Sequence, residues 1–146
     1  MYKIEIEVSG QPVGKQRPRY TRMGTVYTPP KSRDYEKRIM AASWAEMKRF
    51  GLAPTERPVH VELVAFMDIP KSWPKKKRLE AEYNALRHTT KPDLDNIVKS
   101  ALDGISCASF GGPVIRDDKQ VHSIKARKVY CHPDRGPVLY ISVSWE

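Results

Sequence analysis

Polar and hydrophobic residues alternate from the start of the chain. Ile4, Ile6 and Val8 fall on one side, Lys3, Glu5 and Glu7 on the other. This period of two predicts a half-buried strand over residues 2–8, closed by Gly10-Gln11-Pro12. The longest strand pattern runs over 57–69. There Val59, Val61, Leu63, Ala65 and Met67 alternate with His60, Glu62, Val64, Phe66 and Asp68. Both sides become apolar toward its end, as a central strand requires. Two more alternating runs, 121–130 and 138–145, are joined by His132-Pro133-Asp134-Arg135-Gly136-Pro137 and predict a hairpin. In the second, Leu139, Ile141, Val143 and Trp145 share a face.

Between these strands the period shifts to that of a helix. After Pro29-Pro30-Lys31-Ser32, a stretch to about residue 50 spaces Tyr35, Ile39 and Ala42, with Met40, Trp44 and Met47, as core or subunit-interface positions. Gly51 and Pro54 end it. A second helix is expected over 72–86, with Ser72 as cap and Pro74 in its first turn. A third begins near Asp93 and buries Ile97, Val98, Ala101, Leu102 and Ile105, leaving Asp95, Lys99 and Asp103 together on its polar side. Residues 106–113, with Gly111-Gly112, read as a loop. Amphipathic helices need a sheet face to cover. The expected fold is therefore one α+β domain over residues 1–146, two layers deep, with a mixed sheet of about four strands and helices on one face.

Composition adds a partner. The chain has 146 residues, 40% of them hydrophobic, enough for a single core. It carries 26 lysines and arginines against 17 acids, a net charge of +9, which favours a polyanion because each neutralised phosphate releases a counterion. No apolar run approaches membrane-span length and no signal sequence leads the chain, so a cytoplasmic protein with no membrane partner is expected. Cys107 and Cys131 lack zinc-site spacing and are expected as ordinary reduced thiols. Residues 14–27 concentrate Lys15, Arg17, Arg19 and Arg22 beside Tyr20 and Tyr27, around a turn at Met23-Gly24. They read as a small hairpin or extended arm that contacts phosphate and offers aromatics for stacking. Lys75, Lys76 and Lys77, beside Trp73, form a second candidate DNA contact, and they sit there although cations oppose a helix N-terminus.

Against this basic background the acidic residues stand out. Lys91-Pro92-Asp93-Leu94-Asp95-Asn96 is followed by Lys99, and Asp117-Asp118 recurs just before the 121–130 strand. Carboxylate oxygens suit a hard divalent cation, and phosphodiester hydrolysis at neutral pH needs the activated water and charge neutralisation such a cation supplies. Three or four carboxylates held at one point, with Asp117-Asp118 aimed at the helix start, would make such a site. Lys99 would neutralise phosphate charge in the transition state or help to protonate the leaving oxygen. A structural reading is also open: Asp93 as an N-cap, Asp95 as a helix-dipole partner, and Lys99 paired with Asp95 or Asp103.

These residues resemble the RusA-type Holliday junction resolvases. The match lies in Lys91-Pro92-Asp93-Leu94-Asp95-Asn96, Lys99, Leu102-Asp103 and Asp117-Asp118-Lys119-Gln120-Val121, within about 30 residues. The resemblance implies a RusA-like fold and a magnesium-dependent homodimeric endonuclease, with manganese as a substitute ion, that nicks four-way or branched DNA symmetrically. It implies Asp93, Asp95 and Asp118 as metal ligands, Asp117 as an associated acid, and Asp93, Asp95, Lys99 and Asp118 as the catalytic set. Two departures accompany it. The stretch 106–115 is longer than is common, and Ile115 stands where an aromatic often precedes the acidic pair. The alternatives to a junction resolvase are a less selective metal nuclease on branched DNA and a non-catalytic DNA-binding protein.

Overall fold

A four-stranded sheet in the order β1-β6-β4-β5 carries the rest of the molecule. The computed structural model describes residues 1–106 and 112–146. The elements are β1 (Tyr2–Ser9), β2 (Arg19–Tyr20), β3 (Val26–Tyr27), α1 (Pro30–Arg49), β4 (Val59–Met67), α2 (Lys75–Glu82), α3 (Leu94–Ser106), β5 (Val121–Tyr130) and β6 (Val138–Trp145). A 3-10 turn, Asp118–Gln120, precedes β5. The expected α+β fold is what the structure shows: a mixed sheet of four strands with α1 and α3 on one face.

Alternation explains which face they cover. Ile4, Ile6 and Val8 of β1, the odd-numbered residues of β4, and Leu139, Ile141 and Val143 of β6 are buried. They join Tyr35, Ile39 and Met47 of α1 and Ile97, Ala101 and Ile105 of α3 in one core. α2 packs separately: Ala81 meets Ile69 and Tyr130 at the end of the sheet, with Trp73 and Leu86 alongside.

Three local expectations are corrected. The 121–130 and 138–145 strands do not form a hairpin, because β4 lies between them, parallel to β5 and antiparallel to β6. β4 is the strand with apolar residues on both sides, and burial on both sides favours the inner position. α2 is shorter than expected. It begins at Lys75 with Pro74 in the cap position and no side-chain cap, so Ser72 does not cap it. It ends at Glu82, and Asn84 beyond it adopts a positive φ of 61°. Of the two readings for Trp44 on α1, core or subunit interface, its 41% exposure leaves the second; Ser43, buried beside it, returns its hydroxyl to the Ile39 carbonyl (2.7 Å). The readings of Cys107 and Gly111 lie outside the described residues.

The contact between α1 and α3 depends on a missing side chain. A Cβ on Gly104 would lie 2.4 Å from Cγ2 and 2.5 Å from Cβ of Ile39. Both atoms belong to a stiff, β-branched, fully buried residue. Gly104→Ala is expected to destabilise the protein by about 1–3 kcal/mol, the cost of overpacking. Urea unfolding should show the loss, and in an Ile39→Ala background, where Cγ2 is gone, Gly104→Ala should cost less than it does in the wild type through coupling of the two sites.

Candidate functional site: the exposed face of α3

α3 forms because its apolar residues make one stripe, and that stripe pins the helix to the core. The opposite side therefore has to face solvent, and Asp95 and Lys99 are exposed there with Asp103 half-exposed. Asp93, just before the helix, is exposed too, and its carbonyl accepts from the N–H groups of Asn96 (3.1 Å) and Ile97 (3.2 Å). Lys128 of β5 steadies this entry by donating to the carbonyls of Thr90 (2.7 Å) and Pro92 (2.9 Å).

The loop after β1 packs against the start of α3. Lys15 N–H donates to the Asn96 carbonyl (2.8 Å), and Gln16 N–H donates to the buried Ser32 hydroxyl (3.2 Å). A Cβ on Gly14 would meet Cβ of Pro92 at 3.0 Å and Cβ of Asn96 at 3.1 Å, so glycine permits the approach. A cleft of about 690 Å³ results, lined among others by Lys15, Gln16, Lys31, Lys91, Asp93 and Asn96. Its lysines give a phosphate-attracting rim directly beside Asp93.

Lys15 itself is committed elsewhere. Its ammonium pairs with Glu36 of α1 and, at 3.1 Å, with Asp103 of α3. The two carboxylates raise its pKa against the opposing effect of partial burial. Lys15, expected at phosphate, is engaged in an internal tie in this structure, and Asp103 pairs with Lys15 where a pair with Lys99 was expected. Local spacing favours an i,i+4 partner, but the half-buried lysine brought in by the loop offers a less solvated one. Arg17, Arg19 and Arg22 remain exposed around the β2–β3 hairpin. Lys75, Lys76 and Lys77 are exposed on α2, with Lys77 Nζ 4.0 Å from the centre of the Trp73 ring.

The second acidic pair is built by Gln120. Its amide oxygen accepts from the N–H groups of Arg116 (2.8 Å) and Asp117 (2.9 Å). Its amide nitrogen donates to the carbonyls of Thr55 and Arg57, both at 2.9 Å. Asp117 completes a capping box by accepting from Lys119 N–H (2.9 Å), and that bond lowers its pKa. Asp118 is pushed the other way, by partial desolvation, then by Asp117, then by Asp103. Sequence reasoning quoted Gln120 within the family match but gave it no role; its place three residues after Asp117 is the capping-box signal that reveals one.

The acids do not meet at the helix start. Val114 and Ile115 N–H groups both bond to the Ile105 carbonyl (3.1 and 3.2 Å), so the chain turns back at the C-terminal end of α3. Asp118 consequently faces Asp103, about 12 Å along the helix axis from Asp95 at 1.5 Å per residue. Among the described residues, no three His, Cys, Asp or Glu side chains converge closely enough to hold a metal ion. The structure brings together Asp117, Asp118 and Asp103, and separately Asp93, Asp95 and the basic cleft, with Lys99 between the two groups. Ile115 is wholly buried, serving the core where an aromatic was expected.

Asp118 has a raised pKa, so its charge costs stability above that pKa, and the cost disappears as pH falls through it. Asp118→Asn should stabilise metal-free protein slightly at pH 7.5, by about 0.5 kcal/mol or less given solvent screening. The difference should vanish below about pH 4, where carboxylates protonate. Thermal melts across pH check both the sign and the window.

Two comparisons bear on identity. No described helix is long and apolar enough to cross a membrane, and residues 9–143 match the family model described as endodeoxyribonuclease RusA. An uncharacterised Bacillus subtilis (strain 168) protein, YqaN, is 35% identical over 146 residues, covering 97% of each chain. A family match over nearly the whole length, which takes in the α3 acids and the Asp117-Asp118 turn, leaves one conclusion: the chain belongs to the RusA endodeoxyribonuclease family.

Proposed function

We propose that the protein is a structure-selective endodeoxyribonuclease that resolves Holliday junctions by paired, magnesium-dependent nicks, acting as a homodimer. The family match carries this reading. The arrangement of α3 supports it: exposed acids and a lysine on one face, next to a cleft rimmed by lysines. RusA-family nucleases depend on a divalent metal, and the residues here fit one. The donors are all carboxylate oxygens, and the carboxylates of Asp117 and Asp103, which add to partial desolvation in raising Asp118, are negative charge that a cation would relieve. Magnesium is usually held by one or two carboxylates, with water and substrate phosphate completing its shell, so it does not need three converging acids. Asp93, Asp95 and Asp118 are the proposed ligands; with Asp118 beside Asp103, about 12 Å along α3 from Asp95, they would hold metal at two positions on this face, Asp93 and Asp95 at one and Asp118 at the other.

The chemistry contributed by bound magnesium is activation of water and neutralisation of charge at phosphorus. The chain's own residues supply the rest. Arg17, Arg19 and Arg22 on the hairpin and Lys31 and Lys91 at the cleft bind backbone phosphates and bring a strand across α3. Lys75, Lys76 and Lys77 on α2 extend that basic track. Lys99, one turn from both Asp95 and Asp103, places an ammonium against the phosphate and offsets charge that grows in the transition state. Asp117 holds the turn that aims Asp118, and Asp103, tied by Lys15 to α1, fixes the helix against the loop. Two such sites related by a two-fold axis meet two strands of like polarity, which is what symmetric nicking needs.

The test compares an immobile four-way junction with linear duplex of matched sequence, in magnesium and in EDTA. Paired symmetric nicks are expected in the junction alone and only with the metal. Asp95→Asn should abolish cleavage and leave junction binding intact. Lys99→Ala should lower the cleavage rate by about 10²–10³-fold, the scale of losing one transition-state charge contact. Undiminished cleavage by Asp95→Asn would sink the site assignment. Cleavage of junction and duplex at equal rates would favour a less selective nuclease, and magnesium-independent binding without any nicks a DNA-binding protein.

A further inference from the structure

The stretch between α2 and α3 has to carry Asp93 to the surface. Among the described residues, no backbone hydrogen bond joins residues 87–92 to the sheet. Two side chains of β5 hold it instead. Lys128 and Tyr130 are two residues apart and so point to the same side of the strand. Register sets Lys128 beside Ala65 and Tyr130 beside Met67, both buried under the helices. Tyr130 packs its ring on that of the buried His88, with 4.8 Å between centres. Lys128 is half-buried and donates to the carbonyls of Thr90 (2.7 Å) and Pro92 (2.9 Å). The next residue is Asp93, whose own carbonyl accepts the N–H groups of Asn96 and Ile97 at the start of α3. The Pro92 carbonyl and the Asp93 nitrogen share one rigid peptide plane. Holding that carbonyl therefore sets the plane from which Asp93 projects.

We infer that Lys128 is a positioning residue for the metal position at Asp93 and Asp95. It touches neither the metal nor DNA and acts through the peptide plane before Asp93. An ammonium has three N–H donors and no acceptor, so one side chain holds two carbonyls at once, with bonds strengthened by its charge. β5 thereby serves both proposed metal positions: it begins just after the Asp118 turn and holds Asp93 from its other end. Two other roles give different outcomes. As a bare charge beside the metal position, Lys128 would repel a cation, and its removal would tighten metal binding. As a phosphate contact, its removal would weaken DNA binding whether or not metal is present. Positioning alone predicts weaker metal binding with metal-free DNA binding unchanged. The inference rests on the metal reading above and adds to it the residue that aims Asp93.

The test is Lys128→Met in the full chain, which keeps an aliphatic stem and loses the donors. Mn2+ binding is measured without DNA, from the electron paramagnetic resonance signal of the free ion. Asp95→Asn identifies the position concerned by removing it. Affinity for that position should fall about tenfold in Lys128→Met, the scale of losing a group that orients a metal ligand. In EDTA, hydrogen exchange at the Asn96 and Ile97 amides should quicken, since both bond to the Asp93 carbonyl. Junction affinity in EDTA should match wild type. Nicking should fall at limiting Mn2+ and recover most of its rate when the ion saturates. Circular dichroism melts check folding, and Lys128→Gln, too short to reach both carbonyls, replaces the Met variant if that one does not fold. Mn2+ binding that is unchanged or tighter overturns the inference. So does unchanged exchange at the two amides, or a drop in junction affinity in EDTA. A wild type that binds no Mn2+, or an Asp95→Asn variant that binds it as wild type does, overturns the metal reading and this inference with it. Binding lost in Asp95→Asn but kept in Lys128→Met removes this inference alone.

Discussion

Everything functional in this molecule depends on the close approach of α3 to α1. Gly104 lets the two helices meet over Ile39, and that contact fixes which side of α3 is buried. Rotating a helix of 3.6 residues per turn by even one residue would turn its exposed face through about 100°. Asp95, Lys99 and Asp103 would then leave the surface they share. The Lys15 tie to Glu36 and Asp103 acts in the same place, spanning α1, the loop after β1 and α3. Packing sets the rotation of the helix, and this ion pair bridges the same three elements from the solvent side.

Much of the fold was legible because each element's burial is periodic. Ile4, Ile6 and Val8, the odd positions of β4 and the apolar stripe of α3 all lie where spacing places them. Pairing order was not legible in the same way. Residues 121–130 and 138–145 are neighbours in sequence and separated by a loop of hairpin length, yet β4 lies between them. The clue was β4's second apolar face, visible in Val64 and Phe66, which calls for neighbours on both sides. Local spacing alone favours the hairpin, and only a comparison of all the strands favours the inserted one.

The candidate site was legible in its residues and not in its shape. Asp93, Asp95, Lys99, Asp117 and Asp118 are exposed, as catalytic side chains must be to reach DNA. Their grouping depends on where the chain goes after α3, and the turn of Val114 and Ile115 onto the Ile105 carbonyl decides that. A pattern of residue types carries no information about such a turn. Lys15 is the same kind of case. Its charge was apparent, but its partners are 21 residues away on α1 and far along the chain on α3, and nothing local distinguishes a tie from a DNA contact.

The unequal faces of the sheet give the molecule a division of labour. One face is closed by α1 and α3, and the acids, the cleft and the basic hairpin all belong to the helical side. The other face has half-buried valines, a phenylalanine and a tyrosine between edges of opposite charge. The open face balances its charges, Glu5, Glu7 and Glu62 against Lys3, Lys125 and Arg127, whereas the hairpin carries Arg17, Arg19 and Arg22 with no acid among residues 14–27. The net charge of +9 is thus unevenly spread: exposed cations gather on the hairpin, at the rim of the cleft and on α2, and under the proposed function that is the side on which DNA would meet the α3 carboxylates.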